Sequence, residues 1–427
     1  MKIEVKKLPR GQVELTIELS VDEYQPFLEQ AVKQISETTK IAGFRPGKAS
    51  FEIIKQKIGL AEIWEKAIEP AIQKTLFAAI NENKLITVGA PQVDIVKLAP
   101  ENSVIYKAKV SLLPQVTLGE FKKIKINPEK IEVKTEEVKN AIERLQKMRA
   151  KEILVNRATQ KGDKVEIDFE TFMGKVPLER GQNQKFPLVI GENTFIPGFE
   201  DQLIGLVANQ TKEFQLAFPQ NYHQKNLAGR QADFKIKMNN VYQLDLPELN
   251  DEFAKSLGGF ANVSAVEEKI NQNLKDEAKF KENQKLEEKI IDALIENSKF
   301  EDIPDILIDS ETKKMVEELE HNLNHQGLKF EDYLTHLKKS RADLLLDFVP
   351  QAIKRVKSAI VIRKIAETEN IFATDAEIQT EMKNILAEVG GNPEIEQQIH
   401  EPAYKNYLQN ILTTRKVIEY LKSVIVK

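Results

Sequence analysis

Gly43-Phe44-Arg45-Pro46-Gly47-Lys48 sets one aromatic ring and two cations in a run punctuated by two glycines and a proline. Upstream, Ser20 with Glu23 three residues later has the form of a capping box, and Tyr24, Phe27, Leu28, Val32 and Ile35 recur at helical spacing. Downstream, Ser50 is placed to cap a second helix with Ile53, Ile54 and Ile58 on one face. The run is therefore the tip of a loop between two helices. Gly43 and Gly47 permit backbone angles that other residues avoid, and Pro46 fixes one dihedral, so the tip is short and pre-shaped. On such a tip Arg45 and Lys48 reach phosphates or carboxylates, and Phe44 adds an apolar anchor. The same residues also suit an ordinary helix–helix turn. A phosphate-cradling P-loop is excluded. Ala42 stands where that motif needs glycine, Ala49 stands where it needs a hydroxyl, and the preceding segment reads as a polar helix rather than a buried strand.

The 427 residues exceed one ordinary core, and roughly two to four domains are expected. Lys+Arg 62 against Asp+Glu 66 leave a net charge of −4, so global basicity explains no nucleic-acid binding. Only a local patch remains, and Lys40, Arg45, Lys48, Lys55 and Lys57 supply one. Cysteine is absent, which excludes disulfides and thiol chemistry and fits a reducing compartment. Met1-Lys2-Ile3-Glu4-Val5 alternates like a strand and lacks the apolar core of a signal peptide. No segment reads as a membrane span. These features point to a soluble, cytoplasmic protein with no membrane partner.

Four stretches differ in character. Residues 1–113 carry strand patterns at Val13 to Leu19 and Val104 to Leu112 around a helical middle. There Ala61 to Asn83 reads as a long helix with Trp64, Ile68, Ile72, Leu76 and Ile80 on one face, Trp64 being a core anchor. Residues 114–155 read as a linker: an extended stretch bracketed by Pro114 and Pro128, then a helix from Thr135 with Val138, Ile142 and Leu145 as its stripe. Residues 156–245 turn β-rich. Val165 to Phe169 alternates cleanly, and Asp233 to Met238 closes the segment in the same way. Residues 246–427 are charged helices. Their stripes include Val266, Ile270 and Leu274; Leu286, Ile290, Leu294 and Ile295; and Met315, Val316, Leu319 and Leu323 after Pro304, ending near Gly327. Thr374 with Glu377 forms another capping box, and Asn392-Pro393 opens the last helical pair. Stripes of this kind bury only against one another, as a loose bundle.

Two motifs carry a family resemblance. The loop Gly43 to Lys48 is similar to the ribosome-docking motif Gly-Phe-Arg-x-Gly-Lys of the trigger factor family of bacterial chaperones, and the order of segments is similar along nearly the whole chain. Ile196-Pro197-Gly198-Phe199-Glu200, followed by Phe218-Pro219 and Tyr222-His223, resembles the prolyl isomerases of FKBP type found inside that family. The resemblance implies that Gly43, Phe44, Arg45, Pro46, Gly47 and Lys48 dock on the large ribosomal subunit at the tunnel exit. There Phe44, Arg45 and Lys48 would contact ribosomal RNA and a ribosomal protein. It implies an isomerase pocket of Phe169, Phe186, Phe195, Ile196, Phe199 as floor, Tyr222, His223 and Phe234. Unfolded nascent polypeptides are the implied clients. Rotation about an X–Pro bond faces a barrier of roughly 20 kcal/mol set by amide resonance, and it needs no proton or nucleophile. A dry apolar concavity disfavours the polar, resonance-stabilised amide relative to the twisted one and so lowers the barrier, and each ~1.4 kcal/mol gained there is about tenfold in rate. Apart from the resemblance, the same aromatics also suit the core of a small β domain. Glu170-Thr171 replaces the usual Thr-Gly, Leu178 replaces an aromatic, and the accompanying acid is at best Glu179, so an altered flap and weakened isomerase activity are expected.

His321 and His325 lie four apart beside Glu317, Glu318 and Glu320, outside the protease His-Glu-x-x-His pattern, and read as a solvated helix face. No cofactor and no metal are expected. The expected architecture is a multidomain α+β chain: an N-terminal α+β ribosome-binding domain, a central FKBP-like antiparallel β-sheet with a short helix, and a C-terminal all-α body with helical arms. The expected function is an ATP-independent chaperone and peptidyl-prolyl isomerase. A stand-alone isomerase, a free holdase without ribosome docking, and a scaffold with a catalytically dead β domain are the rivals. The sequence leaves open whether the free protein pairs as a homodimer.

Overall fold

The computed structural model describes residues 1–427 apart from 40, 42–43, 175, 223, 226, 390–396 and 427 and the side chains of 179–180 and 388–389. Its backbone groups into two units, Met1–Pro128 with Gln284–Lys427, and Glu129–Asn283.

In the first unit, β1 (Lys2–Leu8) pairs antiparallel with β2 (Gln12–Leu19), whose Val13, Leu15, Ile17 and Leu19 are buried. The capping box forms at the start of α1 (Val21–Thr38): the Ser20 hydroxyl accepts the Glu23 N–H, and the Glu23 carboxylate accepts the Ser20 N–H. At α2 (Phe51–Lys57) the expected cap differs, because Ser50 makes no side-chain bond. Its carbonyl closes the first turn on the N–H groups of Ile53 and Ile54. The stripe of α3 (Leu60–Glu82) is buried against α1. The Trp64 ring lies 4.9 Å from Tyr24, whose hydroxyl donates to the Trp64 carbonyl at 2.9 Å. Burial pushes the Tyr24 hydroxyl well above its ordinary pKa.

β3 (Thr87–Lys97) and β4 (Val104–Leu112) complete an antiparallel sheet of order β1-β2-β4-β3. The edge strand β3 was not anticipated. It is mostly exposed, carries Pro91, and bulges between Val88 and Gln92, so its sequence lacks the alternation of a half-buried strand.

The stretch read as the first half of a linker has a packing role. β5 (Val116–Thr117) and the turn at Phe121 bury Val116 and Phe121 among helical residues further along the chain.

In the second unit, α4 (Thr135–Met148) buries Ile142. β6 (Lys151–Leu154), β7 (Lys164–Met173), β8 (Val176–Val189), β9 (Thr211–Ala217) and β10 (Gln231–Asp245) form an antiparallel sheet. β10 is central, with β7 and then β8 on one side and β9 and β6 on the other. Val165, Ile167, Phe234 and Ile236 share one buried face, beneath a short helical turn at Glu200–Leu203. α5 (Asp251–Ser256) follows, capped by Asn250, and then α6 (Val263–Glu296), which carries Val266 in this unit.

The remainder of the first unit begins with the end of α6. There β11 (Lys299–Phe300) pairs with β5. α7 (Asp305–His325), α8 (Phe330–Leu337), α9 (Arg341–Glu369), α10 (Asp375–Val389) and α11 (Pro402–Ile425) form the helical body. Leu286, Ile290 and Leu294 pack with Val361 and Ile365 of α9 and with Val417, Leu421 and Ile425 of α11. The Leu286–Leu294 stripe thus buries against other helices, as expected, and also against the 116–126 stretch, which the sequence reading left out, while Val316, Leu319 and Leu323 pack with Phe330 and Leu344 in a separate cluster. Asn392 and Pro393 lie outside the described residues. No helix among the described residues is long and apolar enough to cross a membrane.

Two measurements test this packing. A methyl placed on Gly119 would collide with the Asn297 carbonyl oxygen. Gly119→Ala is expected to cost about 1–3 kcal/mol, read as a lower urea midpoint of the full chain. At the start of α10, the Thr374 N–H, then Lys416 and the Thr374 hydroxyl, hold the Glu377 carboxyl down at about 2. Its contribution is therefore complete above the ordinary glutamate value and is lost as pH falls towards 2. Measured against the intrinsic exchange rate of each amide at the same pH, protection in α10 should fall over that window in the wild type and stay level there in Glu377→Gln.

Candidate functional sites

The loop after α1 is fastened from below. Ile41 and Ala49 are buried. Ser36, a polar residue 2% exposed on the inner side of α1, accepts the Gly47 N–H through its carbonyl at 2.8 Å and the Ala49 N–H through its hydroxyl at 3.0 Å. Within the tip, Lys48 N–H donates to the Arg45 carbonyl at 3.0 Å and Phe44 N–H to Ile41 at 3.1 Å. Gly47 has φ +79°, where a side chain would be strained. Held this way, Phe44, Arg45, Pro46 and Lys48 are all exposed, as are Lys55 and Lys57 of α2. Gly43 and Lys40 lie outside the described residues. Ser36 was missed by sequence reasoning; its signal is a small hydroxyl beside Ile35 on an otherwise apolar face.

On the inner face of the β7–β10 sheet, seven of the eight residues expected in the isomerase pocket come together; His223 lies outside the described residues. Phe199 is completely buried and has Phe195 stacked on it at 4.1 Å, with Phe234 at 5.4 Å and Phe169 at 6.4 Å between ring centres. Phe169 meets Phe186 at 5.7 Å and Phe195 at 5.2 Å, both edge to face. Tyr222 joins through Phe218 at 4.7 Å, and Phe218 reaches Phe234 at 6.3 Å. The cluster has two parts. Phe199, Phe218 and Phe234 are buried and serve as domain core, while Phe169, Phe186, Phe195, Ile196 and Tyr222 are half-buried and form the mouth.

Phe214 of β9 was not anticipated. It lies 5.4 Å from Phe199 and stacks on Phe234 at 5.6 Å. It sits in an ordinary Glu-Phe-Gln alternation that any half-buried strand shows. Leu178, which stands where the family has an aromatic, still packs against the cluster. The side chain of Glu179 lies outside the described residues.

Strand alternation turns Asp168 and Glu170, the neighbours of Phe169, to the opposite face of the sheet. There Asp168 accepts the Lys185 N–H at 2.8 Å and the Asn239 amide at 2.6 Å. The Lys185 bond, helped by Asn239 against a smaller effect of burial, holds its carboxyl below the usual range. Among the described residues the mouth is thus mainly apolar and aromatic, which suits rotation about an amide. His321 and His325 have their Nε2 atoms 2.9 Å apart on an exposed face of α7. Among the described residues, no group of three or more His, Asp or Glu is placed to hold a metal ion.

An aromatic cluster on an antiparallel sheet with a short helical turn defines an FKBP-type prolyl isomerase domain, set between an α+β N-terminal segment and a helical C-terminal body. Residues 155–241 match the FKBP-type peptidyl-prolyl cis-trans isomerase family, residues 1–145 the bacterial trigger factor protein family, and residues 262–423 the trigger factor C-terminus. The chain belongs to the trigger factor family. It is similar to the trigger factor of Caldicellulosiruptor bescii, 34% identical over 389 residues that cover 90% of this chain and 88% of that one. It is 32% identical to the trigger factor of Anoxybacillus flavithermus, with 91% of each chain covered. It is 34% identical to that of Bacillus cereus strain Q1, with 89% of each covered. A solved structure, described as "Promiscuous Substrate Recognition in Folding and Assembly Activities of the Trigger Factor Chaperone", matches with a TM-score of 0.50 at 20% identity, covering 99% of both chains; this likeness speaks for the fold.

Because Phe199 is wholly buried, Phe199→Ala should destabilise the isomerase domain by about 3–5 kcal/mol, seen as faster hydrogen exchange across β7 and β10. Phe169→Leu keeps a somewhat smaller apolar side chain at the half-buried mouth and should cost less than Phe199→Ala, which makes it the cleaner probe of activity.

Proposed function

We propose that this protein is an ATP-independent chaperone that docks at the ribosomal tunnel exit through Phe44, Arg45 and Lys48, shields emerging chains, and isomerises X–Pro bonds at the cluster around Phe169, Phe195, Phe199, Tyr222 and Phe234. The observation that carries the docking half is the tip itself. Two hydrogen bonds to buried Ser36 stiffen a loop whose exposed side chains are an aromatic and two cations. Preorganisation of this kind lowers the ordering cost of binding, and docking raises the local concentration of chaperone at the emerging chain. The boundaries assigned are 1–113 for docking, 156–245 for isomerisation and 246–427 for the helical body.

The helical unit supports shielding. Leu328, Leu346, Phe372 and Tyr407 are exposed, and the same helical body carries ion pairs such as Lys339–Asp347 and Arg341–Glu320. Scattered apolar contacts framed by charge bind unfolded segments weakly and release them without an energy source.

The test is ribosome co-sedimentation at fixed moderate salt, wild type against Phe44→Ala/Arg45→Ala/Lys48→Ala. Salt-sensitive pelleting of the wild type and loss in the variant is the expected result. Equal pelleting of both would reduce the tip to a turn. No pelleting of either would favour the rival readings, an isomerase or holdase without docking.

A further inference from the structure

Glu200 closes the Ile196-to-Glu200 run, yet a carboxylate has no part in amide rotation. It is only 5% exposed, and burying an ionised carboxylate is costly unless it is hydrogen-bonded. Here both oxygens are used as acceptors. One takes the N–H of Gly191 at 2.7 Å and of Asn193 at 2.9 Å. The other takes the N–H and hydroxyl of Thr194 at 2.7 and 3.1 Å and the N–H of Phe195 at 3.4 Å.

Positive φ at Gly191 (+98°) and Asn193 (+55°) turns successive N–H groups towards one point, a concavity built for an anion. Burial alone would raise the Glu200 pKa; the bonds from Asn193, Gly191, Thr194 and Phe195 outweigh it and hold the carboxyl below the ordinary range. Phe195 and Ile196, both at the mouth, follow this segment directly, and Phe195 touches Phe169, Phe186 and Phe199.

We propose that Glu200 is a positioning residue of the isomerase site: its carboxylate ties Gly191 to Phe195 into a fixed loop and thereby sets where Phe195 and Ile196 stand. This rests on the reading of the aromatic cluster as an isomerase site. A carboxylate is required because each oxygen faces two or more donors. Glutamine has a single acceptor oxygen, and in either orientation its amide sets donors against donors. Aspartate keeps both oxygens but falls one methylene short.

The experiment uses the full chain and a proline-containing tetrapeptide, comparing wild type, Glu200→Gln, Glu200→Asp, Phe195→Ala and the Glu200→Gln/Phe195→Ala double variant. Glu200→Gln should lower kcat/KM about tenfold or more. The amides of Gly191, Asn193 and Thr194 should lose exchange protection while those of β7 and β10 keep theirs. If Glu200 acts through the placement of Phe195, adding Glu200→Gln to Phe195→Ala lowers activity by less than about twofold further.

Losses that multiply in the double variant, or wild-type kcat/KM in Glu200→Gln, would overturn the proposal. Should Glu200→Gln open the whole sheet, Glu200→Asp decides: reduced activity with β7 and β10 protected supports positioning, and unchanged activity refutes it. A wild type inactive on the peptide would instead sink the isomerase reading itself.

Discussion

The backbone pairing of Val116–Thr117 with Lys299–Phe300 is the closure on which the first unit depends, because the chain leaves that unit after Pro128 and rejoins it at Gln284. Two two-residue strands are far too short to hold by themselves. They hold because Val116 and Phe121 enter the apolar cluster of α6, α9 and α11, and because Gln115 and Glu301 bond to each other twice beside them. The close approach of Gly119 to Asn297 is part of the same seam. Loop-closure entropy rises only slowly with loop length, so once this seam is made, a loop as long as an entire domain costs little more than a short one. The seam therefore allows an isomerase domain to be inserted without reshaping the unit that carries it.

The inserted unit uses its aromatics in two ways. Its buried rings give the small sheet a core, and its half-buried rings line a mouth; Phe199 touches members of both groups. Such sharing suits an isomerase, which needs a dry apolar surface rather than a titrating group. It also couples the proposed site to the stability of the domain, since Phe199, its proposed floor, is wholly buried in the core. The Phe44–Lys48 tip is built differently. Its exposed side chains contribute nothing to a core, and its shape is set from beneath by Ser36.

Much of this was legible in the residues. Ser20 with Glu23 and Thr374 with Glu377 marked helix starts that the structure reproduces bond for bond. The alternations in β2, β4, β7 and β10, and the stripe of α3, were read correctly, because one face of each is buried and period and burial coincide. The edge strand β3, the β5–β11 pair, and the burial of Val116 and Phe121 were not legible. Each is specified by a partner distant in sequence rather than by a local pattern. Ser36 and Phe214 escaped notice, and Glu200 was quoted in its motif without a role, for the same reason: a lone hydroxyl, an aromatic in a plain alternation and an acid at the end of an apolar run acquire a role only from what folds against them.

The sequence by itself determined the order of the segments, the helix and strand periods, and the residue types available to the tip and to the aromatic cluster, since these follow from local propensity and from which side chains avoid water. Only the tertiary structure decided which rings are core and which form the mouth, which backbone groups Ser36 and Glu200 bind, and that the stretch after Pro114 belongs to the helical core. Burial and hydrogen-bond geometry depend on distances between residues far apart in the chain, and those distances exist only once the chain has folded.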